Sequence, residues 1–354
     1  MKPGRERHFK PPRSGFPPMK MALHIVSAKN GMCGRELVRR ASSFDGPERV
    51  PRDLPDPWGT DFYHVGIGGD PNWKPKAEGE DEWGCIWRKV SADDKTMGQV
   101  KVHPLDDYSK LDGFTFPNYD IPERYTHLPE QLAKNIHSKF MLIGIPLSLI
   151  HRLDYLRGNR NAVTDPYRNP GELKALLQRM TDIALVSLER IAPLGIDGII
   201  SCDDWGLQNR SLISPEIFRR FFKPFYKQVY NQAHKHGMVT LLHSCGHITE
   251  LLDGMIEAEL DVIQMDQQQN MGVENLAEQF GGRLCFWCPV DIQNAMVKGS
   301  LQDVQQYARK LIEYFGTYNG GFMCKWYGSP AAVGHSQDKI NAMSQAFVRY
   351  GRYA

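Results

Sequence analysis

The chain places an imidazole and a thiol two positions apart, His243 and Cys245, directly after the apolar run Thr240-Leu-Leu. On an extended segment, side chains at i and i+2 point to the same side. Imidazole and thiolate at that separation can share one zinc ion, with bonds of roughly 2.0–2.3 Å. A third ligand has to come from elsewhere. Cys324 ends another apolar run and follows Gly320 and Gly321, where backbone can pass closely; His247 and Cys288 compete for the role. A His/Cys/Cys set leaves a fourth position open, the pattern of a catalytic zinc rather than a structural one. The plainer reading of any free cysteine is a small buried hydrophobe.

Neighbouring apolar runs also end in polar groups. Asp203 and Asp204 follow Ile199-Ile-Ser-Cys202, and Gln264 and Asp266 share one parity with Val262. The two adjacent acids suit either a loop cap or a substrate contact. Asp266 would reach metal or substrate if it points inward, whereas Asp291, after Pro289-Val290, suits loop ordering. Trp287, Trp326 and Tyr327 could wall an apolar pocket or simply pack. Cys202 and Cys285 sit inside apolar runs and read as core, and Cys33 and Cys85 have no visible partner. With seven cysteines at irregular spacing, a disulfide framework is not expected.

These residues need a scaffold, and the pattern after about Phe140 supplies one. Brief, nearly continuous apolar runs over 140–145, 198–202, 238–243, 261–265, 284–287 and 321–324 read as parallel strands covered on both faces. Helical segments lie between them. Leu173, Leu176, Leu177, Met180, Ala184 and Leu188 form the stripe of a packed helix over 173–191. Ser214-Pro215-Glu216 starts another, with Ile217, Phe218, Phe221, Phe222, Phe225 and Val229 buried; Pro224 should kink it and Gly237 end it. Ser300 precedes a third, striped by Val304, Tyr307, Leu311 and Phe315. Alternating strands and helices imply right-handed crossovers. Six strands after residue 140, with one or two before, close most economically as an α/β (β/α)8 TIM barrel. An open doubly wound sheet is the alternative, weakened by the lack of a phosphate-loop or GxGxxG pattern. A barrel puts chemistry at the C-terminal ends of its strands, where the polar residues above lie.

Composition sets the outer bounds. The chain has 354 residues, 41% hydrophobic, with 43 basic against 41 acidic side chains and a net charge of +2. No broad basic field offers itself to nucleic acid or an anionic membrane, so neither is an expected partner. The longest uncharged apolar stretch, from Phe140 to Ile150, falls short of the about 20 residues a membrane span needs. Residues 1–20 are basic and Pro-rich and read as a loose tail without a secretory pattern, so a cytoplasmic location is expected. Residues 21–354 read as a single barrel domain. Within it, 21–135 form loop-rich N-terminal additions and the first strands, punctuated by Trp58, Trp73, Trp83 and Trp87, with short strands expected over 61–67 and 84–87.

Taken in order, the motifs resemble the uroporphyrinogen decarboxylase superfamily. The resemblance runs from Gly34-Arg-Glu-Leu and Pro47-Glu-Arg-Val-Pro51 through Asp81-Glu-Trp-Gly-Cys-Ile-Trp87, Gly195-Ile-Asp-Gly-Ile199, Asp203-Asp-Trp-Gly206 and Ile213-Ser-Pro-Glu-Ile-Phe218. It continues to His243-Ser-Cys-Gly246, Val290-Asp-Ile-Gln293 and Gly320-Gly-Phe-Met-Cys324. It implies a (β/α)8 barrel, and it offers two chemistries. Porphyrinogen decarboxylases use no metal and hold their carboxylated substrate with arginines, but the Arg-x-x-Gly-Arg-type entry motif is missing here. The other branch comprises zinc-dependent methyltransferases that work with corrinoid proteins, whose His-x-Cys and distant cysteine are matched by His243, Cys245 and Cys324. The expectation is a zinc-dependent methyltransferase. It would move a methyl group between a small substrate, most simply an aryl methyl ether, and a corrinoid (cobalamin) cofactor. Methylcobamide:thiol transfer and metal-free decarboxylation are the alternatives. Asp204 and Asp266 are expected near the reaction, as proton managers, hydrogen-bond partners or a fourth zinc ligand; Asp203, Gln264 and Trp326 are expected to bind substrate. No Asp-x-His-x-x-Gly signature is present, so the corrinoid would arrive on a partner protein or free.

Overall fold

The computed structural model describes residues 31–89 and 98–353. The loose tail expected over 1–20 lies outside them. Eight strands form one parallel sheet: β1 (Arg52–Asp53), β2 (Phe62–Gly66), β5 (Phe140–Gly144), β6 (Gly198–Cys202), β7 (Val239–His243), β8 (Val262–Gln264), β9 (Cys285–Cys288) and β10 (Phe322–Lys325). Their order, β1-β10-β9-β8-β7-β6-β5-β2, curls into a nearly closed barrel with helices outside, and the seam between β1 and β2 carries a bridge from Asp53 to Thr60. The fold is a (β/α)8 TIM barrel. A small antiparallel pair, β3 (Ile86–Arg88) and β4 (Gln99–Val102), belongs to the front region. Among the described residues no helix is long and apolar enough to cross a membrane.

Strand alternation divides the core in two. Phe62, Phe140, Leu142, Leu241, Val262, Cys285, Trp287 and Met323 fill the barrel interior. Their odd neighbours, including Ile143, Ile199, Leu242, Ile263, Phe286, Phe322 and Cys324, pack outward against the helices. Space inside is tight: a Cβ on Gly198 would sit 2.7 Å from the Phe140 ring, so β6 can start only with glycine.

The helices follow their sequence signals. Pro170–Ile191 carries proline in its first turn and Glu172 at its positive end, and it buries the expected leucine stripe. Ser300 and Asp303 form a reciprocal capping box on Leu301–Phe315. Ser214 Oγ accepts from the Ile217 N–H at 3.3 Å, as a cap should. Beyond it the structure departs from a kinked helix. Phe218–Phe222 adopt a wide π-helical turn, and a new α-helix, Lys223–Lys235, starts there with proline in its first turn. Pro224 lacks an N–H, and the first turn is where none is needed. Gly237 then takes a left-handed φ of 71° and ends the segment.

The helix Gly34–Ser42 covers the lower end of the barrel, with Val38 and Ala41 joining the interior cluster. Arg35 Nε donates to Asp197 Oδ2 at 2.9 Å and Arg39 Nη2 to Oδ1 at 2.8 Å. The Met141 N–H donates to the same carboxylate at 2.9 Å. On the opposite side, Asp81 organises the front region. It accepts from Trp83 N, Cys85 N and Trp87 Nε1 at 2.9–3.0 Å and pairs with Arg152 at 3.3 Å. The Arg152 guanidinium lies 4.6 Å over the buried Trp83 ring, and Trp87 meets Tyr155 edge-on at 4.8 Å. The front loops are thereby fastened to the helix Leu149–Arg157, immediately after β5.

Asp197→Ala removes three donors' partner at once. The variant is expected to lose about 2–3 kcal/mol, read as a lower urea midpoint with unchanged slope.

Candidate metal centre

β6 and β7 run side by side with Cys202 opposite His243. Both residues have inward parity at the C-terminal mouth. The chain leaves β6 as Asp203-Asp204-Trp205-Gly206 and leaves β7 as Ser244-Cys245-Gly246. These two loops interlock. Asp203 N donates to His243 O at 2.9 Å, Trp205 N to Ser244 Oγ at 3.0 Å and Gly206 N to Cys245 O at 3.1 Å. Gly206 and Gly246 touch backbone to backbone: a Cβ on either would lie 2.3–2.4 Å from the other's main chain. No side chain fits at either position.

The interlock brings Asp204 to the His-x-Cys pair. Asp204 Oδ1 accepts from the Cys245 N–H at 2.8 Å and lies 3.4 Å from His243 Nε2. Cys245 Sγ lies 3.3 Å from the same nitrogen. One potential ligand atom from each of Asp204, His243 and Cys245 falls within 4.8 Å of the others, the group of this kind among the described residues. An N, an O and an S donor converge on one point, a set that suits zinc.

A hydrogen-bond chain orients the imidazole. Lys325 Nζ donates to Asp266 Oδ1 at 3.1 Å, and Gln264 Nε2 donates to the same oxygen at 2.8 Å. The amide of Gln264 is therefore fixed with Oε1 toward His243 Nδ1. Because Oε1 can only accept, Nδ1 carries a proton, and Nε2 is the nitrogen turned toward Asp204 and Cys245, a donor to them while the ring is protonated and a ligand once that proton leaves.

The charges around this point are strongly coupled. Burial raises the Asp204 carboxyl, but hydrogen bonds from His151, His243 and the Cys245 N–H outweigh it and hold the group well below the usual carboxylate range. Burial disfavours the His243 cation, yet Asp204 and Cys245 pull its pKa well above the ordinary value. His151 behaves alike: despite burial, Asp204 and Cys202 raise it to about 10. Burial pushes the Cys245 thiol up.

The structure redistributes several sequence-derived roles. Cys324 does not join the cluster. In β10 the inward positions are Met323 and Lys325, so Cys324 faces the helix layer, 1% exposed and in register with Cys288 and Arg52. Asp204 takes the third place instead. Asp203, expected at the substrate, is fully buried and saturated: it accepts from Ser148 Oγ at 3.0 Å, Leu149 N at 2.5 Å, His151 N at 3.0 Å and the Tyr226 hydroxyl. It clamps the start of the helix Leu149–Arg157. Gln264 and Asp266, each 4% exposed, form a hydrogen-bond chain beneath His243. Trp326 has outward parity, donates its N–H to Asp53 O at 3.0 Å and packs against the outer core. Asp291 orders its loop as expected, accepting from Gln293, Asn294 and Ala295 N–H groups at 3.1–3.3 Å.

Two residues of the site were not singled out from the sequence. His151 Nε2 lies 3.2 Å from Asp204 N and 3.4 Å from its Oδ2, to which the protonated ring donates, and the ring stacks on Tyr155 at 5.9 Å. Its signal was positional: it follows the apolar run of β5 and so belongs to the barrel's C-terminal face. Cys202, read as core, is exposed at the mouth because it shares inward parity with Ile200.

Gln264→Leu breaks the orienting chain at its middle link while keeping the side chain's bulk. Zinc affinity measured by chelator competition is expected to fall about 10–100-fold.

None of the curated proteins matches the sequence. Among solved structures, a methyltransferase from Methanosarcina mazei superposes with a TM-score of 0.68 at 14% identity, covering 90% of this chain and 99% of that one. A D-psicose 3-epimerase with D-tagatose from Clostridium cellulolyticum H10 aligns at a TM-score of 0.36 and 11% identity over 69% of this chain and 86% of that one. The first superposition extends beyond the barrel to the front region; the second carries no weight. The model of the family described as uroporphyrinogen decarboxylase (URO-D) matches residues 89–349, a span that holds Asp204, His243, Cys245 and six of the eight barrel strands, and the chain belongs to that family.

Proposed function

We propose that this chain is a zinc-dependent methyltransferase. It moves a methyl group between a small O-methyl ether, such as an aryl methyl ether, and a corrinoid carried by a partner protein. The observation that carries the reading is the convergence of Asp204, His243 and Cys245 at the barrel mouth with His243 Nε2 turned toward the other two donors. The M. mazei methyltransferase that shares the fold supports the same reaction class. The metal-free alternative does not account for a thiol, a carboxylate and an oriented imidazole meeting at one point.

Asp204, His243 and Cys245 would hold the ion. A zinc ion bound there would supply Lewis acidity toward an ether oxygen. The protein's own residues do the rest. Gln264 and Asp266 keep His243 in its ligating tautomer. Asp203, through the His151 N–H, fixes the first turn of the helix that carries the His151 ring beside Asp204. From there His151 donates a hydrogen bond, and then a proton, to the alkoxide or phenolate oxygen as the methyl group departs. A reduced corrinoid on a partner protein would supply the acceptor for the methyl group.

The test is metal analysis joined to turnover. The purified chain should contain one zinc per molecule and form methylcob(III)alamin from 2-methoxyphenol and cob(I)alamin. Full activity in zinc-free protein defeats the proposal. Asp204→Ala, His243→Ala and Cys245→Ala are each expected to abolish stoichiometric zinc. Cys324→Ala should keep it and lose only about 1 kcal/mol of stability through a small cavity, measured by urea unfolding. Because the Cys245 thiol must lose its proton to bind, and burial raises its pKa, zinc affinity should fall as pH is lowered. Competition titrations across pH read this directly.

A further inference from the structure

Two glycines at the barrel mouth have no structural reason to be glycine. Gly66 ends β2 and Gly144 ends β5, and the two are opposite one another in register. Strand parity turns both inward, above His64 on one strand and Leu142 on the other. Neither has a left-handed φ, so the backbone does not demand glycine. Both are exposed, and a Cβ added to either would meet nothing within 4 Å. The contrast with Gly198, Gly206 and Gly246 is direct, since each of those would drive a Cβ into neighbouring atoms at 2.3–2.7 Å. Glycine in a strand is less stabilising than alanine and often marks the close approach of a ligand.

The open space has a flat floor and a reactive side. His64, 53% exposed at its side chain, stacks on Trp287 with centroids 6.4 Å apart and planes 17° apart. Trp287 in turn stacks on Phe62 at 4.6 Å and 12°. Around the rim, the strands next in order, β6 and β7, present Cys202 and His243. A planar group lying on His64 would extend from the gap left by the glycines toward the metal centre.

We propose that Gly66 and Gly144 hold open a bay that admits the aromatic ring of the substrate, stacked on His64, and that these two positions set how large a ring the enzyme accepts. The inference rests on the methyl-ether reading for the identity of the ligand and deepens it to an aryl class. A side chain at either position would occupy the ring's volume while leaving the three ligand residues untouched.

The experiment measures binding without turnover. Saturation-transfer NMR on the full chain follows 2-methoxyphenol as the aromatic probe and 2-methoxyethanol as the small aliphatic one. The wild type should bind 2-methoxyphenol. Gly66→Leu and Gly144→Leu should each bind it about tenfold more weakly, keep 2-methoxyethanol binding and keep their zinc. Gly66→Ala and Gly144→Ala give smaller losses in the same order, and they decide the matter should the leucine variants fail to fold. Wild-type affinity for 2-methoxyphenol in the substituted chains, or no binding of it by the wild type, overturns the bay. Failure of methyl transfer to cob(I)alamin with ring binding intact would instead strike the methyl-transfer reading and leave the bay standing.

Discussion

The site depends on one close approach of main chain to main chain. Where the loops after β6 and β7 cross, Gly206 and Gly246 lie in direct backbone contact. That contact sets how far Asp204 can stand from Cys245, and the Cys245 N–H completes the placement by binding the Asp204 carboxylate. The three donor atoms come from two neighbouring strands, yet their spacing is controlled by atoms that never touch a ligand. Rigid elements hold a constellation better than long loops do, and here the loops are short and stitched to each other.

Polar groups beneath and beside the cluster are spent on orientation. Lys325, Asp266 and Gln264 form a chain that fixes which nitrogen of His243 faces the cluster. Asp203 has a parallel duty. Fully desolvated, it holds its charge or its proton among four donors and ties β6 to the helix that carries His151. The same helix receives the front region through Arg152 and Asp81, so loops well before the first full strand help to seat an imidazole at the mouth.

The barrel was readable in the sequence because buried parallel strands leave an unmistakable imprint: brief apolar runs at helix-length intervals. Gly198–Cys202 coincides with its expected span, and the other late strands differ by one or two residues at their ends. His243 and Cys245 were readable because their spacing alone puts them on one side. The third donor was not, because strand parity is decided by register rather than by the end of an apolar run. In Phe322–Lys325 a shift of one position separates Lys325, inside, from Cys324, outside. Asp203 and Asp204 illustrate the same limit at a loop. Adjacent acids face opposite ways, one into the protein and one toward the cluster, and only tertiary packing tells them apart. His151 escaped notice because its importance comes from Asp204, 53 residues away.

The floor of the barrel is made by a segment that comes before every strand. Gly34–Ser42 meets Asp197 more than 150 positions later, and the Gly321 N–H reaches back to Ala41 O. Made before the strands it covers, this helix has an arginine pair with nothing to hold and an apolar face with nothing to cover until Asp197 and β10 have been made. Closing the lower end therefore rests on contacts between residues far apart in sequence, whose formation carries a loop-closure cost that the local strand–helix units do not bear.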